Sequence, residues 1–332
     1  MHGPSLIRRH RGLVIPAGLS HPSYREAEER DVMTDKVFVR LDHRAVIEVG
    51  GEDRRTFLQG LVSNDMNKVA GDRAVYAALL TPQGKFLFDM FVVELGDLFL
   101  IETEAARAED LRKKLSMYKL RAKVSVALAA NTAVFALGGD GAAGTFDLGA
   151  EAGTATEFAG GTVFVDPRLA EAGLRALLPA DGGPRVLEAN GFAPAPFETW
   201  DEARIRLGLP DGSRDLELEK GILLENGFDE LNGVDFNKGC YMGQELTART
   251  KYRGLVRKRL MPVEINGPVP APGADIRLGD AEAGEMRSAC GSVGLALIRL
   301  EQFKASGGVG LTSGASSLAA AKPKWAVFPD GE

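Results

Sequence analysis

Along residues 45–49 of this 332-residue chain, the β-branched Val46, Ile47 and Val49 around Glu48 predict a strand that stops at Gly50-Gly51. Residues 52–62 switch to helical spacing, with Phe57, Leu58, Leu61 and Val62 on one stripe. Strand patterns return at 74–80, 85–95 and 98–102, punctuated by Pro82-Gln83-Gly84 and Gly96-Asp97. A second helix is predicted over 104–118, with Leu111, Leu115 and Tyr118 on one face, followed by strands at 122–128 and 132–137. The order β-α-β-β-β-α-β with short connections predicts α+β architecture on mixed or antiparallel sheets. No strand runs into a Gly-rich phosphate loop.

Farther along, the Gly- and Ala-rich residues 138–161 read as an irregular connection. Helices are predicted around 168–178 and 198–207, the second carrying Trp200, Ala203 and Leu207 and stopping at Leu209-Pro210-Asp211-Gly212. From residue 256, short strands at 259–265, 274–278 and 290–300 are broken by Pro and Gly, predicting a small all-β unit. Residues 305–321, rich in Ala, Gly and Ser, read as a mobile loop before Trp325.

Composition narrows the function classes. Hydrophobic residues make up 45% and charged residues 26%, as in ordinary globular proteins. The sequence has no apolar window of about 18 residues that would cross a membrane as a helix. Two cysteines, Cys240 and Cys290, cannot build a disulfide framework, and three of the four histidines (His2, His10, His21) lie near the N-terminus. A self-contained zinc or iron site is therefore not expected. The net charge of −6 argues against a polyanion binder acting through its whole surface. Residues 1–32 carry Arg8, Arg9 and Arg11 and no acid before Glu26. They read as a disordered leader or a start placed ahead of Met33, with an Arg-rich organellar presequence as the alternative.

One segment reverses the charge balance. Residues 238–259 hold Lys238, Arg249, Lys251, Arg253, Arg257, Lys258 and Arg259 against Glu245 alone. Such density calls for an anion or carboxylates among the cations, either on a pocket rim or on acidic surface elsewhere in the chain. Cys240 sits in this segment between Gly239 and Gly243, away from any apolar periodic run. Glycines permit a tight turn and close approach, and neighbouring cations would favour a reactive or metal-ligating thiolate. The competing reading is a small packed residue, which is the reading favoured for Cys290.

Lys238-Gly239-Cys240-Tyr241-Met242-Gly243-Gln244-Glu245 resembles the K-G-C-[YF]-x-G-Q-E signature of the YgfZ family of folate-binding proteins. That family belongs to the glycine-cleavage T-protein (aminomethyltransferase) superfamily. Phe57-Leu58-Gln59-Gly60-Leu61-Val62-Ser63-Asn64-Asp65 is similar to the superfamily's F-L-Q-x-L-x-[TS]-N-D element, and Tyr76, Leu80 and Pro82–Lys85 fit the strand and turn after it. The resemblance spans about Asp35 to Trp325. It implies a ring around a central tetrahydrofolate pocket, with a leader over 1–32, α+β domains over 33–130 and 131–255, and a C-terminal β-barrel over 256–332.

The resemblance places Asn64, Asp65 and Tyr76 on the pocket wall. Lys238, Gly239, Tyr241, Gly243, Gln244, Glu245, Arg249, Lys251 and Arg253 would stand near its mouth, where a folate glutamate tail could meet the cations. Phe88 stands where the T-protein has the first Asp of a pair, and Asp89 retains the second. The implied function is assembly or repair of iron–sulfur proteins, and so indirectly tRNA modification, with Cys240 as the reactive or ligating thiol. A stable cluster needs about four ligands, so any cluster would be transient and shared with a partner or glutathione. The alternative is a folate-dependent one-carbon transferase using Asp89. The partners implied are folate and iron–sulfur assembly proteins or client enzymes. No membrane partner and no direct nucleic-acid binding are expected. The bacterial cytoplasm is the expected location, with the mitochondrial matrix as the alternative.

Overall fold

The computed structural model describes residues 35–328, so the leader expectations lie outside the described residues. The chain runs through β1 (Val37–Arg40), β2 (Arg44–Gly50), α1 (Arg54–Gln59), β3 (Val75–Leu80), β4 (Phe86–Leu95), β5 (Leu98–Glu104), α2 (Ala108–Tyr118) and β6 (Ser125–Leu128). Strands β2 to β6 form an antiparallel sheet in the order β3-β4-β5-β2-β6. One face packs Ile47, Val49, Ala77, Leu79 and Ile101 against Leu58 of α1 and Leu111 and Leu115 of α2.

The second sheet adds β7 (Thr132–Gly138), β8 (Ala155–Phe158), β9 (Gly161–Val165), β10 (Leu174–Pro179) and β11 (Ala193–Pro194). Its order is β11-β1-β7-β10-β9-β8, so β1 leaves its sequence neighbours and pairs antiparallel with β7 and parallel with β11. A boundary at residue 130 therefore cuts across this sheet. The two sheets share one core, in which Tyr76, Ala78, Phe91 and Leu100 meet Val134, Ala136, Phe164 and Leu177. Strands β3 and β4 are buried on both faces, which is why they read as continuous apolar runs. Then come α3 (Gly183–Ala189), α4 (Phe197–Arg206) and α5 (Gln244–Tyr252).

The barrel comprises β12 (Lys258–Asn266), β13 (Asp275–Leu278), β14 (Ala281–Cys290), β15 (Val293–Arg299), α6 (Leu300–Ser306), β16 (Leu311–Ser313) and β17 (Ser316–Ala320). It is closed, because β17 pairs back onto β12.

Three expectations change. The helix expected at 168–178 is a 3-10 turn at Ala170–Ala172 followed by strand β10, whose Leu174, Ala176, Leu177 and Leu178 are all buried, so a central strand hid its period of two. The stretch 138–161 contains a 3-10 turn at Ala143–Phe146 and strand β8. The loop expected at 305–321 holds the β16–β17 hairpin, which puts Leu311 and Leu318 into the barrel core. Small residues masked an inward-facing alternation there.

A buried ionic chain ties the three parts together. Arg44 donates to Asp89 (3.1 Å), Glu102 (2.9 Å) and Asp211 (3.4 Å). Glu102 also accepts from Arg175 of β10, which reaches Asp166 at 3.2 Å, and Asp166 accepts from Arg168 at 2.8 Å. On the other side Asp211 meets His43 and Arg214, each at 2.9 Å. Arg214 reaches Asp201, Asp201 pairs with Arg204, and Arg204 pairs with Asp215. Asp215 accepts from Ser288 of β14 at 2.6 Å.

Burial alone would raise the Asp211 carboxyl, but the His43 bond and the Arg44 charge hold it well below the usual range. Asp166 and Asp201 are also held low against burial, chiefly by Arg168 and Arg214. Unfolded carboxylates titrate near about 3.9, so in acid the unfolded chain binds more protons than the folded one. The stabilisation is complete above about pH 5, begins to be lost as pH falls below about 4, and goes on being lost until the depressed folded-state carboxyls are protonated. Thermal melts should drop steeply below about pH 5; a flat profile down to about pH 3 would rule out this contribution.

Candidate functional site

The two sequence motifs are halves of one structure. Lys238 turns its ammonium into the end of α1 and donates to the carbonyls of Gln59 (2.8 Å), Val62 (2.6 Å) and Asn64 (2.7 Å). Gln59 is the last residue of α1, and Val62 and Asn64 lie in the turn just past it. Burial pushes the Lys238 ammonium down to about 8, partly offset by Asp65 and Asp235. At neutral pH it therefore keeps three protons for three acceptors. Gln59 answers by donating to the Lys238 carbonyl at 3.2 Å while accepting from Met66 N–H. Ser63 donates to Gly233 O at 2.6 Å, and Asn64 donates to Asn232 O and Tyr76 O. Asp235 N–H reaches Ser63 O, and Met242 N–H reaches Gly60 O.

The rest of the loop is fixed as tightly. Gly243 has φ +81°, and a Cβ there would lie 2.4 Å from Thr81 O, so only glycine fits against the β3–β4 turn. Gln244 accepts from Tyr241 N–H at 3.1 Å, and the Tyr241 ring is buried beneath Lys238. Gly239 has φ +94° with open space around it, so backbone conformation, not crowding, requires glycine there. Cys240 is exposed at the crest of this frame.

The structure redistributes the expected roles. Asn64 is a tie between chain segments, and Asp65 caps the 3-10 turn Met66–Lys68 by accepting from Asn67 N–H. The cations expected around the sulfur are engaged elsewhere. Lys238 faces α1, Lys251 pairs with Asp229 at 2.8 Å, and Arg249 lies 3.9 Å from Glu245. Arg253 is exposed beyond the end of α5. Cys290 is partly buried on β14, and burial followed by Asp201, Glu202 and Glu198 pushes its thiol up. Motif reading assigned no task to Gln59 and Ser63, although both lie inside the quoted element.

Tyr76, expected on the pocket wall, and Asp89, the carboxylate expected to serve folate chemistry, both lie buried in the interior. The Tyr76 ring is fully buried, with centroids 4.8 Å from Phe91 and 4.9 Å from Phe228. The guanidinium of Arg168 lies 5.4 Å from the Tyr76 ring centre, and that of Arg175 lies 4.0 Å from the Phe91 ring centre. Asp89 is buried against Arg44. Burial, followed by the Asp89 charge, pushes the Tyr76 phenol well above its ordinary range.

Tyr76 Oη, Asp89 Oδ2, Arg44 Nη2 and Glu102 Oε2 have no hydrogen-bond partner among the described residues. With Tyr76 and Asp89 at most 1% exposed, neither presents an open surface to tetrahydrofolate. Two open surface grooves of about 380 and 490 Å³ lie elsewhere, and neither is lined by Asn64, Tyr76, Asp89 or Cys240.

Comparison with known proteins places this architecture. Residues 20–147 match the GCVT N-terminal domain, and residues 257–328 match the CAF17 C-terminal beta-barrel domain. The fold is similar to that of the glycine cleavage system aminomethyltransferase T from Bartonella henselae, with a TM-score of 0.72 at 14% identity, covering 91% of this chain and 89% of that one.

In sequence, the chain is 36% identical to the mouse mitochondrial iron-sulfur cluster assembly factor IBA57, over 88% of this chain and 84% of that protein. The human protein of that name is also 36% identical, over 86% and 84%. The homologue from Coccidioides immitis is 31% identical, over 83% and 74%. These relatives narrow the YgfZ resemblance to a related family. They also overturn the bacterial-cytoplasmic expectation, since all three carry mitochondrial in their names. The chain belongs to the IBA57 family of iron–sulfur cluster assembly factors, built on GcvT-like domains with a CAF17-type barrel.

Proposed function

We propose that this protein works in the mitochondrial matrix as an assembly factor in which Cys240 supplies one thiolate ligand to an iron–sulfur cluster in transit. The observation that carries the reading is an exposed thiol on a rigid loop, with no group of three or more candidate metal-ligating side chains among the described residues. With about four ligands needed per cluster, the other positions fall to a cysteine-bearing partner or glutathione. Cys240 loses its proton on ligation and returns to the free thiol when the cluster moves on. The cluster is cargo, and any effect on tRNA modification follows indirectly from the enzymes that receive it.

The test is anaerobic reconstitution with ferrous iron, sulfide and glutathione, followed by visible absorption and circular dichroism. Wild type and Cys290→Ser should develop protein-bound cluster bands, and Cys240→Ser should not. Bands of equal strength in Cys240→Ser would overturn the assignment.

The proposed activity does not depend on tetrahydrofolate at the ring centre. The Tyr76 stack supports this, and so does the Arg44 pairing that occupies Asp89. Calorimetric titration with tetrahydrofolate and its polyglutamates should give no saturable heat. Saturable binding that Asp89→Asn weakens would reinstate the folate pocket and, with it, the one-carbon transferase reading.

A further inference from the structure

The end of α2 carries a basic, apolar-tipped surface that neither the fold nor the Cys240 site uses. From Leu111 to Gly139 the chain has no acidic residue, yet it holds Arg112, Lys113, Lys114, Lys119, Arg121 and Lys123. Arg112 and Lys113 lean on Glu109, and Lys123 pairs with Glu52. Lys114 and Arg121 have no ion-pair partner among the described residues, and Arg121 is exposed. Among these cations stand two large aliphatic side chains in solvent, Met117 at 64% exposure and Leu120 at 89%. Leu120 also holds φ +45°, a left-handed conformation that is unfavourable for a branched side chain and easy for glycine. Leu120 follows the C-cap of α2, where the left-handed residue is usually glycine, so the backbone there does not call for a branched side chain.

Beside the tip lies the open groove of about 380 Å³. Leu87, Phe88 and Met117 supply its apolar lining, and Arg107, Lys113 and Lys114 its cations. Asp110 and Glu219 also line it, leaving cations in excess.

We propose that this surface docks on a bilayer containing anionic phospholipid, with Leu120 and Met117 entering the interface and Lys113, Lys114, Lys119 and Arg121 meeting the headgroup phosphates. Aliphatic tips gain from hydrocarbon, whereas single-stranded nucleic acid is held by aromatic stacking, for which this segment offers only the partly covered Tyr118. A cationic collar around an apolar tip is complementary to a negatively charged leaflet. Attachment of this kind is peripheral, since no helix among the described residues is long and apolar enough to cross a membrane.

The test is co-sedimentation of the full chain with vesicles of phosphatidylcholine alone and of equal parts phosphatidylcholine and phosphatidylglycerol. Wild type should pellet with the anionic vesicles only and be released in 1 M salt, where the Debye length is about 3 Å. Leu120→Gly relieves the backbone and keeps the fold, yet should weaken vesicle binding by roughly tenfold through the lost apolar burial. Lys114→Glu/Arg121→Glu should weaken it by at least about tenfold. Equal pelleting with neutral vesicles, or wild-type binding by Leu120→Gly, overturns the proposal. Retention of a single-stranded oligoribonucleotide by wild type without vesicle binding would make the surface a nucleic-acid face and overturn it as well. Reconstitution at Cys240 should be unchanged in both variants.

Discussion

Arg44→Met should lower the melting temperature by roughly 10 °C, the largest stability loss expected from a single change in the ionic chain. Arg44 is fully buried and is the only residue that hydrogen-bonds the Asp89 carboxylate among the described residues. Without it Asp89 is a stranded charge, whereas Glu102 keeps Arg175 and Asp211 keeps His43 and Arg214. Leaving one buried charge uncompensated typically costs about 3–5 kcal/mol. Adding Asp89→Leu removes the stranded group and should recover most of the loss, because apolar replacement of a buried pair is often neutral. If the single variant melts with wild type, Asp89 reaches water and the centre is open. If the double variant is no better than the single, the cost lies in packing.

Lys238→Met should abolish cluster formation as completely as Cys240→Ser while leaving the Cys240 thiol present and titratable. The lysine is the peg between the Cys240 loop and α1. Methionine matches its length but leaves the Gln59, Val62 and Asn64 carbonyls without their donor. Each carbonyl left buried without a partner costs about 1–3 kcal/mol, enough to move the loop before the domain unfolds. Lys238→Arg should not restore function, because a planar fork cannot aim three donors as an ammonium does. Reconstitution and thiol titration on the same sample separate the outcomes. Normal cluster yield from Lys238→Met would show that the loop holds its shape without the peg.

Much of the first sheet was legible because its strands are separated by turn residues such as Pro82-Gln83-Gly84, and because α2 shows its apolar face directly. The Cys240 segment was legible through glycines whose positive φ the structure confirms at Gly239 and Gly243. What stayed hidden was pairing at a distance. Arg44, Arg168, Arg175 and Arg204 are almost fully buried, although arginine composition argues for exposure, and nothing local reveals carboxylate partners up to 167 residues away. Asn64 and Lys238 were both singled out, but as wall and mouth of a ligand pocket. That each is spent on backbone carbonyls of the other's segment depends on how α1 and the turn after it meet a loop 168 to 174 residues away.

The position of β1 bears on how the protein is made. Its partners β7 and β11 begin at Thr132 and Ala193, so the strand emerges from the ribosome well before either exists. At about 5–20 residues per second, Val37–Arg40 waits on the order of ten seconds with both edges unpaired. The sheet of β2 to β6 can close in that interval, because its last strand ends at Leu128. Until β7 arrives, Phe38 and Val39 are a sticky ribbon tethered to a folded neighbour, and nascent chains are most open to mispairing and to chaperone capture at that stage.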